Sequence, residues 1–322
     1  MAKIEEPLCH ALPEKNHRAK AHDLSELRGD FIARDMAVDR IGRNGTCHTV
    51  AICNQKGGVG KTVTAINLSA MLATSGLRTL LVDLDPQGHS GLGLGLDVDA
   101  LDRSVYDVLL NGTCPVREAI VPLRPNLEIL PSNIDLASAE LELARLAKRE
   151  TRLREVIDGL RESYEYIVID CPPSIGILTV NALAASELVI VPVTSSFYSI
   201  RGLSKIVEVS EALQDSLSLD VRIFSVVTFF KEQQRETRLQ RENLEATPGH
   251  QILKTSVRKN TKLNEAIRKG LSIFEYAPDC IAGRDYSDLA REINFLGSNL
   301  QNTVTVNTCT WTATLEQSPI PG

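Results

Sequence analysis

From His48 onward, short continuously apolar runs alternate with longer stretches of helical periodicity. Thr49–Cys53, Thr79–Asp83, Leu127–Leu130, Tyr166–Cys171, Leu188–Val193 and Val221–Thr228 read as strands. Ala65–Thr74, Ala137–Arg149, Leu153–Ser163, Ile177–Ala185, Leu203–Leu213 and Tyr286–Leu296 read as helices. Strand centres such as Leu80-Leu81-Val82 and Ile167-Val168-Ile169 show no polar alternation, as expected where helices cover both faces of a sheet. The order predicts a single α/β domain, a doubly wound and mainly parallel sheet with helices on both faces and right-handed crossovers. Ligands in that architecture bind at the carboxyl ends of the strands.

The pattern fades at both ends. Residues 1–46 carry eight Lys/Arg and eight Asp/Glu with few apolar positions, and read as an N-terminal extension. One amphipathic helix fits Asp23–Ile41 through Leu24, Leu27, Phe31 and Ile32. The ordered domain is expected over residues 47–298. The Thr/Asn/Ser-rich stretch 299–322 reads as a flexible tail, in which Thr303–Val306 could pair as an edge strand.

The first strand runs into Asn54-Gln55-Lys56-Gly57-Gly58-Val59-Gly60-Lys61-Thr62-Val63-Thr64, and a helix follows. Strand, glycine-rich turn and helix are the setting a phosphate-binding loop requires. Glycines let backbone N–H groups approach an anion, and the helix start adds unsatisfied N–H groups and partial positive charge. Gly57, Gly58, Val59, Gly60, Lys61, Thr62 and Val63 are therefore the candidate cradle. Lys61 supplies charge for the β and γ phosphates, and the Thr62 hydroxyl stands ready to ligate Mg²⁺. Gln55 occupies the place where the ordinary motif has its first glycine, and Lys56 adds a second lysine at the loop entrance.

Two later strands end in carboxylates. Leu81-Val82-Asp83-Leu84-Asp85-Pro86 sets Asp83 and Asp85 two residues apart, on one side of an extended chain. A carboxylate there can order the water shell of Mg²⁺ or position an attacking water, and Asp83 could equally serve to order the loop. Ile167-Val168-Ile169-Asp170 follows the Walker B pattern, in which Asp170 holds Mg²⁺ through water; Cys171-Pro172-Pro173 then forms a stiff turn.

Composition removes several classes. Hydrophobic content of 43% and charged content of 24% are ordinary for a globular domain, and no apolar run approaches the roughly 20 residues that span a bilayer. Met1 to Lys20 is polar, without the apolar core of a secretory leader, so a cytoplasmic protein is expected. The seven cysteines form no C-x-x-C pair and match neither a zinc site nor a disulfide framework.

The Lys-Gly-Gly-Val-Gly-Lys-Thr loop resembles the deviant Walker A motif of the ParA/MinD family of P-loop ATPases. Further segments carry the likeness over roughly Thr49 to Leu296: Ser104-Val105-Tyr106-Asp107-Val108-Leu109, Leu130-Pro131-Ser132, Asn181–Ser186, Val191-Pro192-Val193 and Lys262-Leu263-Asn264-Glu265-Ala266-Ile267. The last of these is expected to precede the final strand. Within the family they favour the ParA/Soj-type partition ATPases of chromosomes and plasmids. Arg201 departs from the pattern, since relatives usually carry an acidic residue before Gly-Leu-Ser, and is left without a role.

The resemblance implies a homodimer that sandwiches ATP and Mg²⁺, with slow, partner-stimulated hydrolysis. Lys61 and Thr62 would act in cis and Lys56 in trans, Asp85 would position the hydrolytic water, and Asp170 would support the metal. It also implies non-specific binding to double-stranded DNA of the nucleoid and a ParB-like centromere-binding partner. Residues 231–270 suit such DNA binding, with ten Lys/Arg against five Asp/Glu in a chain of net charge −6. Arg235, Arg238, Arg258, Lys259 and Lys262 are the candidate phosphate contacts. The alternative is a solvated helix face with internal ion pairs, which Glu242 and Glu245 permit. A MinD-like or protein-cluster-positioning ATPase on a membrane or scaffold is the competing function, but the tail lacks a basic amphipathic helix and no membrane partner is expected.

Overall fold

The computed structural model describes residues 46–110, 114–230 and 242–300. One eight-stranded sheet runs through them: β1 (His48–Ile52), β2 (Thr79–Asp83), β3 (Val121–Arg124), β4 (Leu127–Leu130), β5 (Tyr166–Asp170), β6 (Leu188–Val193), β7 (Arg222–Phe230) and β8 (Gln251–Arg258). The spatial order is β3-β4-β2-β5-β1-β6-β7-β8. Every pair is parallel except β3–β4, a short antiparallel hairpin at one edge.

The doubly wound expectation is met, and its physical basis is visible in the central strands. Every residue of β1, β2, β5 and β6 is buried, so apolar side chains are needed on both faces. One face is covered by α1 (Lys61–Thr74), α9 (Thr261–Arg268), α10 (Ile273–Tyr276) and α11 (Ile281–Leu300), packed over Val50, Ile52, Leu81, Val168 and Ile190. The other carries α3 (Val105–Leu110), α5 (Leu136–Leu143), α6 (Arg152–Asp158), α7 (Ile177–Ala184) and α8 (Phe197–Leu217), packed over Ala51, Leu80, Val82, Ile167 and Ile169. Two further short helices are α2 (His89–Gly93) and α4 (Val116–Ala119), and a 3-10 turn spans Val98–Ala100.

Several boundaries move. The helix expected over Ala137–Arg149 ends at Leu143, and that over Leu153–Ser163 ends at Asp158. The helix expected at Leu203–Leu213 extends to Phe197–Leu217, and the last helix runs to Leu300, two residues past the expected domain end. The Lys262–Ile267 segment does not precede the final strand: it is most of α9 and follows β8, the last strand among the described residues. The extension helix at 23–41 and the strand at 303–306 lie outside the described residues.

The β8 edge is closed by side chains. Glu292 of α11 accepts the Lys254 and Thr255 amides at 2.8 and 2.9 Å, and Asp285 accepts the Arg258 amide at 2.8 Å. Pairing with β7 is irregular. Ser225 faces Ile252 while Val227 faces Ser256, and Thr228 faces Val257 while Phe230 faces Arg258. Phe229 is therefore the surplus residue of a bulge in β7, with φ of +57°. For a residue with a Cβ, such a left-handed backbone costs about 1–2 kcal/mol.

Candidate active site

Three carboxyl strand ends converge. Register places Asp170 of β5 between Ile52 of β1 and Asp83 of β2, so the loop after β1 starts beside two carboxylates. Asn54 anchors the loop entrance: its buried amide donates to the Pro192 and Ser199 carbonyls at 2.8 and 3.2 Å, and its Oδ1 accepts the Lys56 amide at 3.0 Å. Gly58 and Gly60 take φ of +74° and +94°, which a side chain would resist. A Cβ on Gly57 or Gly58 would meet nothing within 4 Å, so the loop faces open space on that side.

α1 begins at Lys61 with no side chain capping its first turn, and the Thr64 amide donates back to the Gly60 carbonyl at 2.9 Å. The preceding amides have no acceptor within the helix. Lys61 is only 7% exposed, and its Nζ donates to the Lys56 carbonyl at 3.4 Å. Burial pulls its pKa down, and the nearby Asp170 opposes that shift.

The carboxylates have distinct positions. Asp83 is fully buried; its two oxygens accept the Asp85 and Ser90 amides, each at 3.0 Å. Burial first, then the charge of Asp170, pushes its pKa well up. Both oxygens of Asp83 thus help to order the loop, the alternative that the sequence left open beside metal binding. Asp85, 7% exposed, turns the chain by accepting the Gln87 amide through Oδ1 at 3.0 Å.

Asp170 Oδ2 accepts the Ser90 hydroxyl at 2.8 Å. Its Oδ1 is buried with no hydrogen-bond partner, although the Thr62 hydroxyl lies close enough to favour its charged form. Burial raises the Asp170 pKa to about 6, with the Thr62 and Ser90 hydroxyls and Lys61 pulling the other way. An orphaned carboxylate oxygen beside a threonine hydroxyl fits a hard cation. Among the described residues no group of three or more His, Cys, Asp or Glu could hold a metal, so a cation here would need phosphate oxygens and water as further ligands.

The site therefore gathers Lys56, Gly57 through Val63, Asp85 and Asp170 at one edge. The sequence reading assigned no role to Ser90, which bridges Asp83 and Asp170, nor to Asn54. A lone serine in His-Ser-Gly carries no signal, whereas a polar residue between an apolar strand and a glycine loop, as at Asn54, is a usable one.

The basic residues divide. Lys259 and Lys262 are exposed at this edge, although Lys262 pairs with Glu265 at 3.1 Å and lies 5.5 Å from the Tyr276 ring. Arg258 is engaged by the buried Asp285, with Nε 3.2 and 3.1 Å from its two oxygens, so it has a structural partner besides the phosphate contact expected of it. Arg235 and Arg238 lie outside the described residues. Arg258→Ala should cost about 2 kcal/mol by stripping Asp285 of its partner. A melting temperature lowered by roughly 4–8 °C would show it, and an unchanged one would deny the pair its structural role.

A family model described as an AAA domain matches residues 47–223. The sporulation initiation inhibitor protein Soj of Bacillus subtilis is 38% identical over 245 residues, covering 76% of this chain and 97% of that protein. The chromosome partitioning protein ParA of Myxococcus xanthus is 38% identical over 246 residues, covering 76% and 87%. The chain belongs to the Soj/ParA family of chromosome-partitioning ATPases. Among solved structures, cobyrinic acid a,c-diamide synthase of Mycobacterium smegmatis with bound ADP and magnesium superposes with a TM-score of 0.67 at 29% identity, covering 81% of this chain and 97% of that one. The family resemblance and the parallel-sheet architecture expected from the sequence are thus both met. No helix among the described residues is long and apolar enough to cross a membrane.

Proposed function

We propose that this chain is a nucleotide-switched partition ATPase that binds DNA without reading its sequence and positions a DNA cargo. The observation that carries the reading is the buried, unpartnered Asp170 Oδ1 beside Thr62 and the buried Lys61, at the mouth of a glycine loop. Soj and ParA, 38% identical over most of this chain, are named for chromosome partitioning or sporulation control, which supports ATP as substrate and segregation as output.

The roles proposed on this geometry divide among loop, strand ends and a second copy. The amides of residues 57–63 wrap the β and γ phosphates, and Lys61 leaves the Lys56 carbonyl to neutralise them. Thr62 and Asp170 Oδ1 would hold Mg²⁺, which when bound neutralises charge on the phosphates. Asp85, one oxygen already tied to Gln87, offers the other to the water that attacks the γ phosphate. Lys56 stands half-exposed at the loop entrance and would reach the nucleotide of a second copy facing it.

Dimerisation doubles the basic surface formed by Lys259, Lys262 and, from sequence, Arg235 and Arg238. Affinity for phosphate rises steeply with the number of contacts, so ATP state becomes a DNA-binding switch. A ParB-like centromere-binding protein is the partner that would accelerate hydrolysis and release the dimer, and nucleoid association in the cytoplasm follows.

The test is binding to random-sequence duplex DNA with ATP, with ADP and without nucleotide, at two salt concentrations. Affinity that needs ATP and falls steeply with salt supports the reading. Joint Lys259→Ala and Lys262→Ala replacement should reduce that affinity at least about tenfold while sparing basal ATPase, each lost contact flattening the salt dependence. ATP binding without DNA binding would instead make the basic surface a solvated face and point to a protein scaffold.

A further inference from the structure

The phosphate loop is held from the end of β7, two strands away from β1 in the sheet. Thr228 Oγ1 donates to the Val59 carbonyl at 2.8 Å. The next residue, Phe229, lays its ring against Gly60: Cζ and Cε2 lie 2.7 and 2.9 Å from where a Cβ on that glycine would stand. Successive residues of a regular strand face opposite sides of the sheet. Here the bulge and the left-handed φ of +57° at Phe229 let two neighbours serve the same loop. A bulge of this kind re-aims a side chain at the expense of backbone strain, and such strain gathers where it has a use.

We propose that Phe229 is a positioning residue for triphosphate binding. Its ring sets the place of Gly60 and, through the Gly60 carbonyl that accepts the Thr64 amide, the direction in which the first amides of α1 point. Gly60 is thereby constrained twice, by its own φ of +94° and by the ring that leaves no room for a side chain. The role rests on the phosphate-site reading and extends it to a residue outside the loop.

The experiment titrates a fluorescent non-hydrolysable ATP analogue into the full chain and its Phe229→Gly and Phe229→Tyr variants. Glycine suits the left-handed backbone, so Phe229→Gly should fold while losing the ring. Its Kd should rise at least about tenfold, since small misplacement of a binding group is costly, and Phe229→Tyr should return to within about threefold of native. In steady state the loss should fall on KM and leave kcat nearly unchanged, a split that general destabilisation would not produce. If Phe229→Gly fails to fold, Phe229→Leu is read the same way. A folded variant that binds within about twofold of native overturns this role alone. A native chain that does not bind the analogue overturns the phosphate site and this role together.

Discussion

Lys61→Ala protein should bind ATP at least about a hundredfold more weakly than native, a loss of about 2.7 kcal/mol or more, measured by calorimetric titration. Lys61 is the one cation of the loop buried at the start of α1, and burial destabilises its charge. A triphosphate relieves that penalty, so the lysine contributes more to the bound state than a solvated one would. Its removal also leaves Asp170 without the cation that favours its charged form. Circular dichroism separates lost binding from lost fold. Unchanged nucleotide affinity in the folded variant would refute the phosphate-loop assignment.

Asp85→Ala should reduce kcat by about a hundredfold to a thousandfold while ATP-dependent dimerisation and DNA binding persist. Alanine removes two things, the carboxylate proposed to hold the water and the oxygen that accepts the Gln87 amide. Asp85→Asn separates them, because the amide oxygen retains the turn and the charge is lost. Equal loss in both variants assigns the effect to the charge. Near-native turnover in Asp85→Asn would mean that the residue acts by shaping the loop, and normal turnover in both would end its role in hydrolysis.

The central strands were legible because burial on both faces demands uninterrupted apolar runs, and β2, β4 and β6 match their expected limits residue for residue. β8 was not. Its sequence, Gln-Ile-Leu-Lys-Thr-Ser-Val-Arg, lies half exposed at an edge, and its irregular register breaks the period-two alternation that marks such strands. The same segment therefore read as charged surface, and Arg258 as a DNA contact. β3 was hidden by Pro122, a residue that an edge strand tolerates and a central strand does not. Loop chemistry was readable because cradle residues are contiguous. Ser90 and Phe229 meet Asp170 and Gly60, distant in the chain, and no local spacing records such contacts.

The carboxylates of Glu292 and Asp285 along β8 bear on how this protein can associate with itself. The proposed pairing on nucleotide and gathering on DNA would crowd copies of this chain together. An open parallel edge in such a crowd invites strand-by-strand fibre growth. Here the Lys254, Thr255 and Arg258 amides of β8 are already answered from within the same molecule, which opposes that route at this edge. Copies that added strand to strand here would first have to break the contacts that Glu292 and Asp285 make.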